Sequence, residues 1–432
     1  MEQLLHYVWR HKIFPLRELR TTDGREVEVL NPGICNTDAG PDFVGASVKI
    51  GGTVWVGNVE IHQKTSDWFR HHHDTDVSYE NIVLHVAKEV DMPLFYPNGL
   101  EIPQLQMEVP AYVKDNYERL KDNDVRPRCK NVVAGLSKFM IHNWMTSLML
   151  ERFEGRASQI LARRESLDKN WEDTLFVTLA RSFGFGLNGD AFEKWAQSIP
   201  MSAAGKHRDS LFQIEAMFFG QAGLLEEAGS DEYYLSLQKE YKFLRQKFSL
   251  TPIAPSAWKF LRLRPQNFPY IRIAQLAMLY YEQRMNLSKL VNANHVDEIH
   301  SLLLTHVSKY WQTHYTFGGK VTKPQERKLS SSSMDSVIVN ALAPMLFAYG
   351  KYKSDQSLCD RAFSLWEQLE PENNRVVRDW ASAGVICESA ADSQALIQLT
   401  RCYCQTRDCL RCKFGYEFIK QTPDLLREDE KS

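Results

Sequence analysis

The stretch GPDFVGASVKIGGTVWVGNVEIHQKTSDW, residues 40–68, decides the fold of the N-terminal part of the chain. On both sides of Gly51 and Gly52 it shows strand-like segments, and the glycine pair is typical of the tight turn of a β-hairpin. Further strand patterns stand at residues 25–30 and 81–90, and charges are interleaved with apolar residues at 1–14, as in a helix. The sequence therefore predicts a β-sheet region from about residue 25 to about residue 110.

After this region the spacing of apolar residues becomes typical of helices. From about residue 131 to 400 apolar side chains recur at helical spacing, as at Trp144, Leu148 and Phe153. We predict an α+β protein with an N-terminal mixed β-sheet and flanking helices, followed by a large all-α region. The predicted parts are an α/β domain, a linker, a helical region with a break near 316–333, and a cysteine-rich knuckle with a tail: residues 1–118, 119–130, 131–400 and 401–432.

The composition is that of an ordinary globular protein, with 44% hydrophobic and 25% charged residues among 432. A net charge of −2 gives no global attraction to nucleic acid or to anionic lipid, so such binding would need a local patch. We expect no signal peptide and no membrane span, and a cytoplasmic location. Eight cysteines without a secretory signal point to a reducing compartment, where clustered thiols are more often metal ligands or free thiols than disulfides.

Three chemically active residues lie in the opening stretch: Asp42, Glu60 and His62. Glu60 and His62 are two apart, so they share one face of a strand, and the hairpin would bring Asp42 alongside. Two carboxylates at one point suit a hard cation such as Mg²⁺ or Mn²⁺, which polarises phosphate and activates water. Alternatively, Asp42 makes a turn, and Glu60 and His62 lie on a solvent-facing side of the sheet.

More histidines follow within 25 residues. Ser66 is a candidate N-cap for a short helix over 66–73 that carries three consecutive histidines, and His85 lies inside an apolar strand. His73 and His85 are therefore additional candidate metal ligands, although a lone strand histidine is more often a hydrogen-bonded core residue. A zinc, manganese or iron site that uses histidines competes with the carboxylate site for Mg²⁺.

A second cluster stands near the C-terminus, in CYCQTRDCLRCKFG (402–415). Its four cysteines are candidate metal ligands: Cys402, Cys404, Cys409 and Cys412. Cys409 and Cys412 form a CxxC knuckle, and Cys404 is well placed as a third ligand. Cys402 is the nearest fourth ligand, while Cys387 or Cys129 would arrive from elsewhere. Zn²⁺ is the first expectation and an iron–sulfur cluster the rival, and a set of free thiols is the remaining alternative.

A third stretch, WKFLRLRPQNFPYIRIAQLA (258–277), mixes arginines with aromatic residues. Arginine binds phosphate oxygens and aromatic rings stack on bases, so Arg262, Arg264 and Arg272 are the candidate nucleic-acid contacts. The competing interpretation is structural: two prolines bracket a rigid loop, and the arginines pair with acidic helices.

The order of elements in the first part resembles the αβββαβ core of the PD-(D/E)xK nuclease superfamily, which is restriction-endonuclease-like. The resemblance implies that Asp42 and Glu60 bind a divalent metal. His62 stands where that motif has its lysine; it would orient water, or Lys64 on the same face would replace it. Loss of the lysine also fits a degenerate, inactive copy.

Over nearly its full length the chain is similar to a bacterial family of domains of unknown function. The resemblance is carried by these segments: NTDAGPDF, GNVEIH, SDWFRHHHDTD, IVLHV, FFGQAGLL, RLRPQNFPYIRIAQLA, VIVNALAPMLFAYG and CQTRDCLRC. It implies no activity.

The residues themselves therefore set the functional expectations. The first is a nuclease or phosphodiesterase that uses Mg²⁺ or Mn²⁺ on nucleic acid. The second is a non-catalytic protein that binds nucleic acid or protein and keeps the nuclease-like sheet as a scaffold. The third is a hydrolase of small, for example phosphorylated, substrates with a histidine-rich transition-metal site. No nucleophile elbow, kinase signature or HExxH motif supports another chemistry.

Overall fold

The computed structural model describes residues 2–14, 19–36, 38–122, 126–229 and 231–421. Residues 123–125 of the predicted linker and the tail from residue 422 lie outside the described residues. The chain forms two compact units. The first comprises Met1–Met140, Asp379–Val385 and the described part of Leu399–Ser432, and the second comprises Ile141–Arg378 and Ile386–Gln398. Within the described ranges, every helix is too short or too polar to cross a membrane.

The first unit is built on a mixed sheet, as the sequence predicts. Its strands are β1 (Val27–Asn31), β2 (Ile34–Cys35), β3 (Phe43–Ile50), β4 (Thr53–Lys64), β5 (Ile82–Glu89) and β6 (Gln104–Gln106). They lie in the order β1-β3-β4-β5-β6, with β2 also pairing with β3. Strands β1 to β4 pair antiparallel, whereas β5 is parallel to β4 and β6 is parallel to β5.

The predicted hairpin turn is confirmed between β3 and β4. Gly51 and Gly52 have φ angles of +56° and +89°, which is the left-handed geometry that a two-residue hairpin turn requires and that glycine adopts at least cost. Ile50 consequently pairs with Thr53 and Phe43 with Val59. This register carries the residue before β3, Asp42, to the level of Glu60.

Helices make up the rest of the fold. They are α1 (Glu2–His11), α2 (Asp67–Arg70), α3 (Ala111–Asp122), α4 (Lys130–Val133), α5 (Lys138–Glu165), α6 (Trp171–Phe183), α7 (Gly189–Gln197), α8 (Met201–Gly205), α9 (Leu211–Gln221), α10 (Glu232–Phe248), α11 (Pro269–Tyr281), α12 (Leu287–Asn292), α13 (Val296–Leu303), α14 (Lys309–Thr313), α15 (Ser331–Val337), α16 (Ala343–Lys353), α17 (Gln356–Glu367), α18 (Arg375–Ala381), α19 (Ala390–Leu399) and α20 (Lys413–Ile419). Two π-helical turns, Ile338–Leu342 and Thr400–Cys404, interrupt the α-helical pattern.

Helix α1 lies against β4 because one of its faces is apolar. Leu4, Leu5, Val8 and Trp9, spaced at one helical turn, are almost fully buried. The indole N–H of Trp9 donates to the carbonyl of Pro32, 3.0 Å away, so the polar edge of the ring is satisfied.

The C-terminal segment completes the first unit. Helix α20 packs against α3 and α4. The buried Asn116 amide donates to the carbonyl oxygens of Ile419 and Gln421 at 3.2 and 2.9 Å, which caps the end of α20. The chain therefore returns to its N-terminal unit after the second unit has been built.

In the described ranges the regular structure of the second unit is helical, in agreement with the helical spacing of the sequence, and the unit has its own aromatic core. Phe153 stacks on Trp366 with ring centroids 3.7 Å apart, and both side chains are inaccessible to solvent. The indole N–H of Trp195 donates to the carbonyl of Phe218 at 2.8 Å. The predicted break near 316–333 falls in an irregular segment between α14 and α15 within this unit.

Candidate metal centre

The two carboxylates of the opening stretch are held together by reciprocal hydrogen bonds. The backbone N–H of Asp42 donates to Oε2 of Glu60, and the N–H of Ile61 donates to Oδ2 of Asp42, each over 3.0 Å. Glu60 is only 4% exposed, whereas about a quarter of the Asp42 side chain is accessible. One oxygen of each carboxylate is thus fixed by the backbone, and these bonds leave Oε1 of Glu60 and Oδ1 of Asp42 for a cation.

Three imidazoles converge beside Glu60. His62, His71 and His73 each place a ring nitrogen within 4.8 Å of the other two, a group able to hold one metal ion. Nε2 of His73 lies 3.2 Å and Nε2 of His62 lies 3.6 Å from Oε1 of Glu60. The three imidazoles thus form one group, and two of them lie near a carboxylate oxygen; nitrogen donors of this kind fit a transition-metal ion.

A break in the predicted helix over 66–73 brings His71 and His73 to the same side. Helix α2 ends at Arg70, and His72 adopts a left-handed backbone with φ +63°. In a continuous helix, residues two apart would point away from each other, whereas the reversal at His72 lets both rings approach His62, with centroids 5.1 and 5.3 Å away. The hydroxyl of Ser66, the predicted N-cap, donates instead to Asp91.

His85 supports the site from the neighbouring strand. The parallel register places His85 beside Glu60, and its Nε2 shares a 2.9 Å hydrogen bond with Nδ1 of His62. His85 is completely buried and is not one of the three grouped imidazoles. The predicted ligand is thus placed to fix the ring of His62, leaving the Nε2 of His62 directed at the carboxylate.

Burial determines the charge of these groups. Desolvation, reinforced by the neighbouring histidines, lowers the pKa of His62 to about 3, and burial lowers the pKa of His85 to about 3. Both imidazoles are therefore neutral near pH 7, which is the form that binds metals. Burial, reinforced by the charge of Asp42, raises the pKa of Glu60 despite the opposing hydrogen bond with His73. A bound cation would relieve the cost of burying this carboxylate.

His6, which no sequence motif indicated, lies beside Asp42 and is partly exposed. Its Nε2 lies 3.3 Å from Oδ2 of Asp42, and a quarter of its side chain is exposed. Burial alone would lower its pKa, but the hydrogen bond and charge of Asp42 outweigh that effect and raise it. The only signal in the sequence was its position on α1 next to the buried stripe of that helix.

An apolar and aromatic wall encloses the opposite side. Trp68 and Tyr79 belong to a small buried cluster with Ile82, and the ring of Tyr79 stacks on His73 with centroids 3.9 Å apart. Trp68 meets His85 edge to face at 5.8 Å. Solvent reaches the group at the exposed His71 and, in part, at Asp42 and His6.

Lys64, the predicted substitute for the missing lysine, does not join this group. Its ammonium forms an ion pair with Glu89 over 3.0 Å, and both side chains are about half exposed. The ion pair lies at the far end of β4, where Lys64 is opposite Glu89 in the parallel register. The structure therefore pairs Lys64 with Glu89, and its catalytic role stays a prediction.

The three predicted nucleic-acid arginines do not form one surface. Arg262 and Arg264 are exposed in the loop before α11. Arg272 is 5% exposed, donates to Gln275 and Asn267 at 2.9 and 2.7 Å, and lies over the ring of Phe185. Its burial excludes it from a surface contact, because the helical spacing of α11 turns it into the core of the second unit.

The structure brings four cysteines together, and one of them differs from the predicted set. Cys404, Cys409 and Cys412 line a cavity of about 20 Å³ with Cys129, whereas Cys402 is exposed. Cys402 and Cys404 are two apart in the π-helical turn, so their side chains point to different sides. Burial and the three neighbouring thiols raise the pKa of Cys129. Cys387 belongs to the second unit.

Comparison with known proteins gives a family and no activity. No curated protein matches the chain, and no solved structure matches it. One family model, described as a protein of unknown function, matches residues 2–375 of 432 and so spans the sheet, the histidines and nearly all of the second unit. On this match, the chain belongs to the DUF2851 family.

Proposed function

We propose that this protein is a metal-dependent hydrolase of phosphodiester bonds in nucleic acid. One observation carries the proposal: Asp42, Glu60 and the three grouped imidazoles converge on one side of the sheet, where Tyr79 packs on His73 and Asp42 stays partly accessible. Such a set of carboxylates and neutral imidazoles is costly to bury for structure alone, since its polar atoms need partners.

The donor set favours Mn²⁺ or another transition ion over Mg²⁺. Mg²⁺ prefers oxygen ligands and retains water, whereas imidazole nitrogen is a common ligand of transition-metal ions. Glu60 and His73 would supply the ligand atoms closest to each other, and His62, His71 and Asp42 would complete the set. Bound there, the ion would polarise a phosphate oxygen and lower the pKa of a coordinated water.

The surrounding residues would divide the remaining tasks. His85 holds the ring of His62 by their shared hydrogen bond, so the ligand orientation is fixed before a metal arrives. His62 is only 1% exposed, so it serves as a ligand rather than as the holder of the attacking water that the PD-(D/E)xK motif suggests. His6, the partly exposed partner of Asp42, is placed to hold or transfer a proton at the mouth.

The order of elements supports a nuclease-like reading of the sheet. Helix α1, the strands β1, β3 and β4, the short helix α2 and the parallel strand β5 follow one another as in the αβββαβ core of the PD-(D/E)xK nucleases. Asp42 precedes β3 and Glu60 lies in β4, which are the positions of the two acidic motif residues.

A cleavage assay with Mn²⁺ on single-stranded and double-stranded DNA and RNA tests the proposal. Glu60→Gln and Asp42→Asn should each lower cleavage by at least about a hundredfold, because each removes a charge that holds the ion. Glu89→Gln is the matched control, since Glu89 lies in the same sheet and pairs with the exposed Lys64.

Two further measurements separate the alternatives. Binding of Mn²⁺, followed by its electron paramagnetic resonance, should be lost in Glu60→Gln and retained in Glu89→Gln. Mn²⁺ binding without cleavage of any of the four substrates would refute a nuclease. If the protein instead binds nucleic acid in the presence of chelators and cleaves none, it is a non-catalytic scaffold. His62 in place of the motif's lysine favours this alternative.

A further inference from the structure

The second cluster lies in the first unit, around the small cavity that four cysteines line. Cys129 directly precedes α4, Cys404 ends the π-helical turn, and Cys409 and Cys412 stand in the loop that leads into α20. The sequence separates Cys129 from the other three by more than 270 residues, yet they share this cavity with Arg128 and Gly415.

We propose that Cys129, Cys404, Cys409 and Cys412 ligate an iron–sulfur cluster. The first reason is the spacing. Cys404, Cys409 and Cys412 form a Cys-x4-Cys-x2-Cys run, and a fourth cysteine comes from a remote part of the chain. Such a run with one distant partner is a ligand pattern of iron–sulfur proteins.

The second reason is the width of the arrangement. Four thiolates around one zinc ion at about 2.3 Å would lie about 3.8 Å from each other and leave no space between them. Among the described residues, the group of three ligand atoms within 4.8 Å of one another consists of histidines, and no trio of these cysteines meets that limit. The four cysteines instead surround a common void without any three of their sulfur atoms coming so close. This spread suits a multinuclear cluster better than a single ion.

The third reason is how the backbone is arranged around the sulfur atoms. A Cβ at position 415 would lie 2.1 Å from the carbonyl oxygen of Cys409, so only glycine allows α20 to approach the knuckle so closely. The guanidinium of Arg128 donates to the carbonyl oxygen of Cys404 over 3.1 Å and lines the cavity. Its positive charge would offset the negative charge of a cluster held by four thiolates.

The cluster would clamp the end of the chain onto the N-terminal helix. Tyr416, four residues after Cys412, contacts the rings of His11 and Tyr7 on α1 with centroids 4.6 and 6.4 Å away. The same helix carries His6 to the metal centre described above. The cluster therefore has a structural role, and its presence does not depend on whether the protein cleaves nucleic acid.

The test is the metal content of the full chain purified without oxygen. The expected result is iron and acid-labile sulfide in equal amounts, with broad visible absorption that is bleached by dithionite. Cys129→Ser should lose most of the iron and the absorption. Cys402→Ser, the matched control from the same cysteine-rich segment, should retain both at the level of the unaltered protein.

Several results would overturn the proposal. One zinc ion per chain without sulfide, no metal at all, or equal loss of iron in both serine variants would each do so. Zinc without sulfide, or no metal, would be seen in the unaltered protein alone, so the test remains decisive even if Cys129→Ser fails to fold. Because the readout is metal and colour, a failure here is independent of the cleavage assay.

Discussion

Replacing His85 by glutamine should make the first unit less sensitive to acid. Histidine has an ordinary pKa of 6.5, and burial lowers the pKa of both His62 and His85 to about 3 in the folded protein. Between these values the unfolded chain binds protons that the folded chain excludes. The contribution of the two buried histidines to the stability of the folded protein is therefore fully present above pH 6.5 and is lost as the pH falls from 6.5 towards 3.

The magnitude follows from proton linkage. Lowering the pH from about 7.5 to about 5 should cost about 2 kcal/mol for each histidine of this kind. The two rings share a hydrogen bond, so a single proton on the pair is partly accommodated, and the combined loss lies between about 2 and about 4 kcal/mol. Against a typical total of about 5–15 kcal/mol, this is a large fraction of the stability of the sheet.

Hydrogen exchange measured by mass spectrometry on peptides from β4 and β5 reports this loss locally. The protein is kept with a chelator, because a bound cation would itself oppose protonation. After correction for the intrinsic exchange rate, protection in the unaltered protein should fall between the two pH values by about thirtyfold more than in His85→Gln, as about 2 kcal/mol requires.

Comparing the two pH values removes the constant cost of the lost hydrogen bond. The exposed His142, in α5, provides the control: His142→Gln should lose as much protection as the unaltered protein. An equal loss in His85→Gln and in the unaltered protein would refute the conclusion that His85 is buried in its neutral form.

Three further predictions concern other parts of the chain. Gly415→Ala should displace Cys409 and release iron, while Gly155→Ala, which meets no neighbour within 4 Å, should not; metal analysis decides. Lys64→Ala should keep at least half of any cleavage activity, because Lys64 pairs with an exposed carboxylate. A hundredfold loss would show that Lys64 takes part in catalysis. Burial raises the pKa of Glu215 to about 7, so the stability of α9 should decline by about 3 kcal/mol at most as the pH rises from 4.5 to 7. Hydrogen exchange in α9 measures this decline, and Glu215→Gln should abolish it.

Local patterns predicted the parts of the fold that local physics determines. Strand alternation, the glycine pair and helical spacing gave β3, β4 and the helical region, because each depends on neighbours in sequence. The shared face of Glu60 and His62 followed from the two-residue period of a strand. The convergence with Asp42 followed from the hairpin, once Gly51 and Gly52 fixed its register.

Features that depend on distant parts of the chain could not be predicted in this way. Nothing near His6 in the sequence indicates that α1 brings it to Asp42, and no pattern selects Cys129 over Cys387 or Cys402 as the fourth cysteine beside the C-terminal knuckle. The choice between Cys402 and Cys404 is different, since two residues so close in a helical turn cannot face one cavity. For Arg272 the sequence left open a nucleic-acid contact or a structural role, and its burial in α11 fits the structural role.

The return of the chain to its first unit has a consequence for synthesis. Asn116 reaches its partner Ile419 only after 303 further residues have been added, which takes roughly 15–60 s at ribosomal speeds of about 5–20 residues per second. Throughout that time the second unit can fold, being nearly continuous in sequence, whereas α3 and Cys129 wait without α20 and the knuckle. The first unit therefore lacks these contacts until residues 404–421 have been synthesised, and its completion is a late event that joins residues far apart in sequence.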